Sequence, residues 1–92
     1  MIIRISEEGQ YEVPSSLLDE LNVIDNRIVD LVAEEKEEEY RTQLCKLVEI
    51  VRTHGKKLND GELKESDIIL PPEDLTLNEA REIFTGEGIF ED

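Results

Sequence analysis

Few side chains in this 92-residue chain have the type and spacing that chemistry needs, and they are scattered. His54 is the sole histidine. General-base or metal work by an imidazole requires a partner at defined spacing, and the helical stretch around His54 supplies none. Its expected place is a solvated or structural helix end. Cys45, the sole cysteine, lies between Leu44 and Lys46 with no cluster to stabilise a thiolate, so a partly buried, inert thiol is expected. Asn59-Asp60-Gly61-Glu62 has the flavour of a calcium loop but lacks the alternating acidic positions and the correctly spaced closing glutamate, which leaves a turn. The chain has no glycine-rich phosphate loop, nucleophile elbow or His-Glu metal motif. Its 24 acidic residues make carboxylate pairs so common that none stands out as an acid and base pair. A non-enzymatic protein without cofactor or metal is expected.

Composition narrows the partners. With 24 acidic against 10 basic residues the formal charge is −14, which opposes binding to nucleic acid phosphates and to anionic lipid. Aromatic content is 4%, with no tryptophan, so neither a base-stacking platform nor an interfacial belt is available. A single cysteine forms no internal disulfide, in keeping with the cytoplasm. The apolar run from Met1 to Ile5 is too short for a signal peptide, and no stretch has the length of a membrane-spanning helix. The length allows one domain, residues 1–92.

The positioning elements are dominated by two apolar stripes. Leu17, Leu21, Ile24, Ile28 and Leu31 recur at steps of four and three, broadened by Leu18, Val29 and Val32. Tyr40, Leu44, Leu47 and Val51 repeat the step with Val48. Both are buried faces of α-helices, predicted over 16–34 and 37–55. Ser16 with Asp19 three residues on reads as a capping box, and Gly55 as a C′ residue. Heptad steps from Leu31 land on Glu35, Glu38 and Thr42, so the stripe stops and the pair must fold into an antiparallel hairpin. The Glu34–Glu39 run reads as a solvated corner.

Before the helices, Ile2, Ile3 and Ile5 are β-branched, Ser6-Glu7-Glu8-Gly9 is a turn and Gln10-Tyr11-Glu12-Val13 alternates, predicting a β-hairpin over 2–13 with Gly9 at positive φ. After them, Ile68-Ile69-Leu70 closed by Pro71-Pro72 is an extended segment, 66–71, open between strand and lid. Thr76 and Glu79 form a second capping box for a helix over 76–85 that buries Leu77, Ala80, Ile83 and Phe84. Residues 87–92 form an acidic tail whose Ile89 and Phe90 pack back or dock elsewhere. The fold class is mainly α with a small β element (α+β).

Charge separates the helices, the first acidic and the second basic between Arg41 and Lys57. Antiparallel packing would bring Asp30 near Arg41 and Asp19 near Arg52 or Lys56. If the first helix leaves this basic side unneutralised, Arg41 and Arg52 are candidates to receive an acidic partner helix.

The opening Ile2-Ile-Arg-Ile5, the Gly9-Gln-Tyr-Glu12 run, Leu18 to Asn22 with Asp25, then Asp67-Ile-Ile-Leu-Pro-Pro72, Thr76-Leu77, Glu79 and Gly86 resemble the PspA-associated (PspAA) domain family over nearly the whole chain. One departure is the helix connection, where relatives often carry a glycine-aspartate turn and this chain has Glu34-Glu35-Lys36. The resemblance implies a small, mainly helical cytoplasmic protein that binds or regulates phage shock protein A, a membrane-associated coiled-coil protein of envelope-stress systems, and implies no catalytic activity. On this reading Gln10 and Tyr11, a polar-aromatic pair at a tight turn, face the partner, unless Tyr11 belongs to the core. The alternative is a self-associating helical module that completes a four-helix bundle as a homodimer.

Overall fold

β-Branched residues flanking a glycine-ended turn build the amino-terminal hairpin. The computed structural model describes residues 1–59, 61 and 64–84. In it, β1 (Ile2–Ile5) and β2 (Gly9–Glu12) pair antiparallel with Ile3 opposite Tyr11 and Ile5 opposite Gly9. Gly9 has φ +142°, the positive value expected of it. Glu7 also lies at φ 70°, and the Glu8 amide donates to the Ile5 carbonyl at 3.0 Å to close the turn. Alternation sends Ile3, Ile5, Tyr11 and Val13 into the core, all at most 7% exposed.

The helical hairpin is present, with α1 over Leu18–Ala33 and α2 over Glu37–His54. Leu21, Ile24, Ile28, Leu31 and Val32 of α1 and Tyr40, Leu44, Leu47, Val48 and Val51 of α2 are buried against the sheet. Ser16 does not cap α1. Residues Ser15–Leu17 form a 3₁₀ turn after Pro14, closed by the Leu17 amide on the Pro14 carbonyl at 3.0 Å. Ser16 is therefore inside a helical turn and not in the extended conformation that a capping side chain needs.

The break between the helices has a specific geometry. Glu35 sits at φ 60°, the Glu35 amide donates to the Val32 carbonyl at 3.1 Å and the Lys36 amide to the Leu31 carbonyl at 3.0 Å. This is the Schellman pair of bonds, with glutamate at the left-handed C′ position that glycine usually fills. Its side chain is paired with Arg81 across the surface.

Gly55 departs from expectation. It is the C-cap of α2 in extended conformation (φ −91°, ψ 160°) rather than a left-handed C′ residue. What requires glycine is proximity: a Cβ would stand 2.5 Å from the Val51 carbonyl oxygen and 3.1 Å from side-chain carbons of Tyr11 and Val13. The backbone passes that close because the chain turns straight into β3 (Lys56–Lys57), a strand without apolar signal, which pairs antiparallel with β2.

Ile68–Leu70 is a strand, β4, parallel to β1 with Ile3 opposite Ile68 and Ile5 opposite Leu70. The sheet order is β3-β2-β1-β4, so a mixed sheet lies under the helical hairpin. The α3 helix (Leu77–Ile83) carries both bonds of the Thr76–Glu79 capping box. Ala80 and Phe84 are buried and Leu77 packs at the core margin, whereas Ile83, expected inside, is 41% exposed because the short helix turns it outward. The Tyr40 hydroxyl, buried at the start of α2, donates to the Leu75 carbonyl at 2.8 Å and ties the approach to α3 to the hairpin. The acidic tail, the end of the 76–85 helix and the centre of the Asn59–Gly61 turn lie outside the described residues.

Two substitutions test these backbone readings by urea unfolding. In an Arg81→Ala background, which removes the surface ion pair, Glu35→Gly is expected to stabilise the protein by about 1 kcal/mol. Gly55→Ala is expected to cost about 2 kcal/mol by overpacking; an unchanged midpoint would show that the α2–β3 junction relaxes freely.

Candidate functional site

The four residues singled out for partner contact are placed by three elements: Gln10 and Tyr11 by β2, Arg41 by the first turns of α2, Arg52 by its last. The structure brings Tyr11 and Arg52 together and leaves Gln10 and Arg41 apart from them. Their meeting point is Glu8, in the β1–β2 turn.

Both Glu8 oxygens accept from Arg52 Nε at 2.9 Å, with Arg52 Nη2 also on Oε1. The Tyr11 hydroxyl donates to Oε2 at 2.5 Å. Arg52 Nη1 reaches Glu49 at 3.3 Å and Glu73 at 3.2 Å. One guanidinium thus ties the hairpin turn, its own helix and the segment before α3. The Arg52 bond, helped by that from Tyr11, lowers the Glu8 pKa to about 2. Burial, then the Glu8 carboxylate, pushes the Tyr11 hydroxyl up to about 12. The Glu8 bond likewise raises Arg52. All three groups hold their charge states through the neutral range, which suits a clamp and not proton transfer.

Exposure at the turn, the motive for placing Gln10 and Tyr11 on a docking surface, is not what the structure has. Tyr11 is 7% exposed, in the core. Gln10 is 5% exposed on the opposite face of the sheet, where the chain at Lys64–Ser66 passes over it. Its Nε2 donates to the Lys64 carbonyl and to Ser66 Oγ (2.7 Å), and its Oε1 accepts from the Lys64 amide at 3.2 Å. The side-chain amide takes the place of a strand's peptide group, satisfying a buried polar side chain. Arg41 does not meet Asp30; it pairs with Glu37 one turn earlier at 3.2 Å. Arg52 goes to Glu8 rather than Asp19. Both arginines found a nearer carboxylate than α1 offers.

Sequence reasoning missed Glu8 as the hub and Asp67, whose Oδ2 accepts from the Ile2 amide at 2.8 Å and fixes β4 beside β1. It also missed Asp25, a charged residue of the α1 stripe that is wholly buried. Asp67 stands just before the apolar run of β4 and only the parallel β1–β4 register shows that it reaches Ile2, whereas Glu8 sits in the β1–β2 turn and only the packing of α2 on the hairpin shows that it reaches Arg52. Cys45, expected partly inside, is exposed, as is His54 at the end of α2. Among the described residues no group of three or more His, Cys, Asp or Glu is placed to hold a metal ion. The cleft beside the turn, about 320 Å³, is a polar hollow lined by Arg4, Glu7, Glu8, Gln10, Lys57 and Asn59 among others.

A helical hairpin on a four-stranded mixed sheet, with its polar clusters spent on tying loops to helices, defines a small α+β domain. The family model for PspAA, the PspA-associated proteins, matches residues 1–92, and the chain belongs to that family. No curated protein matches the chain, and no solved structure does.

The clamp has a pH signature. The Glu8 pKa in the folded state, about 2, lies below the ordinary 4.5, so its contribution is complete above 4.5 and disappears as pH falls to 2. Glu8→Gln is expected to cost on the order of 2 kcal/mol at pH 7, and this difference from wild type should shrink to nothing near pH 2 in urea titrations. A difference independent of pH would place its cause elsewhere.

Proposed function

We propose that the domain is a non-catalytic binding module that binds or regulates the phage shock protein A assembly in the cytoplasm. The observation that carries this reading is the match of the PspAA family model to the whole chain. Charge supports a protein partner over direct lipid contact: a chain of −14 is repelled by anionic headgroups. Among the described residues no helix is long and apolar enough to cross a membrane.

The polar network supports a rigid module. Glu8, Tyr11, Arg52 and Gln10 are engaged within the domain, and their loss would act on binding only through the fold. Of the four candidates Gln10, Tyr11, Arg41 and Arg52, Arg41 has 60% of its side chain in water and an i,i+4 pair with Glu37, and so is still presented to a protein surface.

Mixing the purified chain with purified phage shock protein A and following co-elution by size exclusion is expected to give a complex at micromolar concentration. Arg41→Glu should leave the fold intact by circular dichroism. Absence of any complex at tens of micromolar would overturn the reading.

A further inference from the structure

The helical hairpin buries one side of each helix on the sheet and leaves the other side in water. Along its outer flank two shallow depressions follow one another. The first, about 320 Å³, lies between Arg27 of α1 and Glu39 and Gln43 of α2. The second, about 330 Å³, continues along α2 over Lys46, Ile50 and Thr53. Gln43, Lys46 and Ile50 are spaced by three and four residues and share one stripe of α2; Val23 is one turn from Arg27 on the facing stripe of α1. The second depression is lined by α2 alone, and Val23, which lines neither, stands exposed on α1. At 68% it is the most exposed large apolar side chain among the described residues, and Ile50 is half-buried. The seam from Gln43 to His54 is ~16 Å long, about three helical turns.

We propose that this flank is a docking groove for one amphipathic helix of a protein partner, a helix with an apolar stripe flanked by lysines and arginines. The proposal rests on the reading of the domain as a protein-binding module. A groove between two antiparallel helices accepts a third helix by ridge-into-groove packing, with Ile50 as its apolar floor and the exposed Val23 as an apolar contact on the α1 side. Charge selects a basic occupant: Glu38 and Glu39 line the first depression and Glu49 the second, against Arg27 and Lys46, and the exposed Glu20, Asp30 and Glu34 add to the negative charge of α1 and its end. The net charge of −14 steers the same class of partner from a distance.

The test uses the full chain, a synthetic 18-residue helix of leucine and lysine in amphipathic order, its leucine-glutamate counterpart, and purified phage shock protein A. Val23 is exposed, so Val23→Lys and Val23→Ser leave the fold unchanged. The leucine-lysine helix is expected to shift backbone amide resonances of residues 20–27 and 43–53. Val23→Lys should weaken it about tenfold and Val23→Ser less, and raising salt should weaken it further. Resonance shifts confined to another surface, equal affinity in Val23→Lys, or equally tight binding of the leucine-glutamate helix would each overturn the proposal. So would sedimentation of the wild type as a dimer that Val23→Lys disperses, which makes a second copy the occupant. Phage shock protein A separates this proposal from the functional reading. If it fails to bind while the leucine-lysine helix binds through Val23, the groove stands and the functional reading falls; if it binds Val23→Lys as tightly as wild type, the reverse holds.

Discussion

The whole structure depends on β1 being paired on both sides. The first strand of the chain lies inside the sheet, held antiparallel by β2 next to it in sequence and parallel by β4, which arrives only at Ile68. Ile3 and Ile5 are the reason: both are buried to within 1% beneath the helices, so their strand needs partners on both edges. The chain can bring β4 back only by running out through α1, returning through α2 and crossing the sheet, and the helical hairpin is the connection. The closing bonds are short-range polar ones at each end of the β1–β4 seam, the Asp67 carboxylate on the Ile2 amide and the Ser6 amide on the Leu70 carbonyl, both within 2.9 Å. Such a late, non-local pairing pays its loop-closure entropy before its contacts form, and the local α1–α2 packing is what brings its ends together.

How legible this was in the residues depends on the range of the interaction. The two helices, their break, the hairpin and the α3 capping box are written in steps of two, three and four, where one residue constrains its near neighbours. Leu31 followed by Glu35 and Glu38 suffices to end a stripe. What escaped was set by contacts across the fold. Lys56 and Lys57 look like a solvated tail of α2 and become a strand only because β2 offers an open edge beside them. Ser16 and Gly55 have the right types for caps, yet Pro14 tightens the chain ahead of one and Tyr11 and Val13 crowd the other. Gln10 alternates with Tyr11, which assigns it to the polar face; nothing local says that Lys64 will close that face over it.

The same distinction governs the charges. An acidic α1 and a basic α2 suggest mutual neutralisation, but an ion pair near the surface contributes little and forms with whichever carboxylate lies closest. Arg41 takes Glu37 from its own helix and Arg52 takes Glu8 from the turn. The apolar seam is therefore the main bond between the two helices, as expected from the far larger free energy of burying leucine and valine than of pairing exposed charges. The consequence is that Arg41 and Arg52 are engaged by Glu37 and Glu8, while the exposed carboxylates Glu20 and Asp30 of α1 face water.

Those exposed carboxylates link the fold to a binding role. A domain of this size has few ways to be selective, and the polar clusters among its described residues are consumed in tying loops to helices and strands. Its distinguishing property is a stiff helical hairpin, anchored at one end by the Glu35 turn and at the other by the Arg52–Glu8 clamp, whose outer flank exposes more carboxylates than cations. Rigidity matters because an ordered surface loses little conformational entropy when a partner docks. Loosening the clamp should therefore weaken binding without touching a contact, since α2 would have to be re-anchored before the flank could be read by another helix.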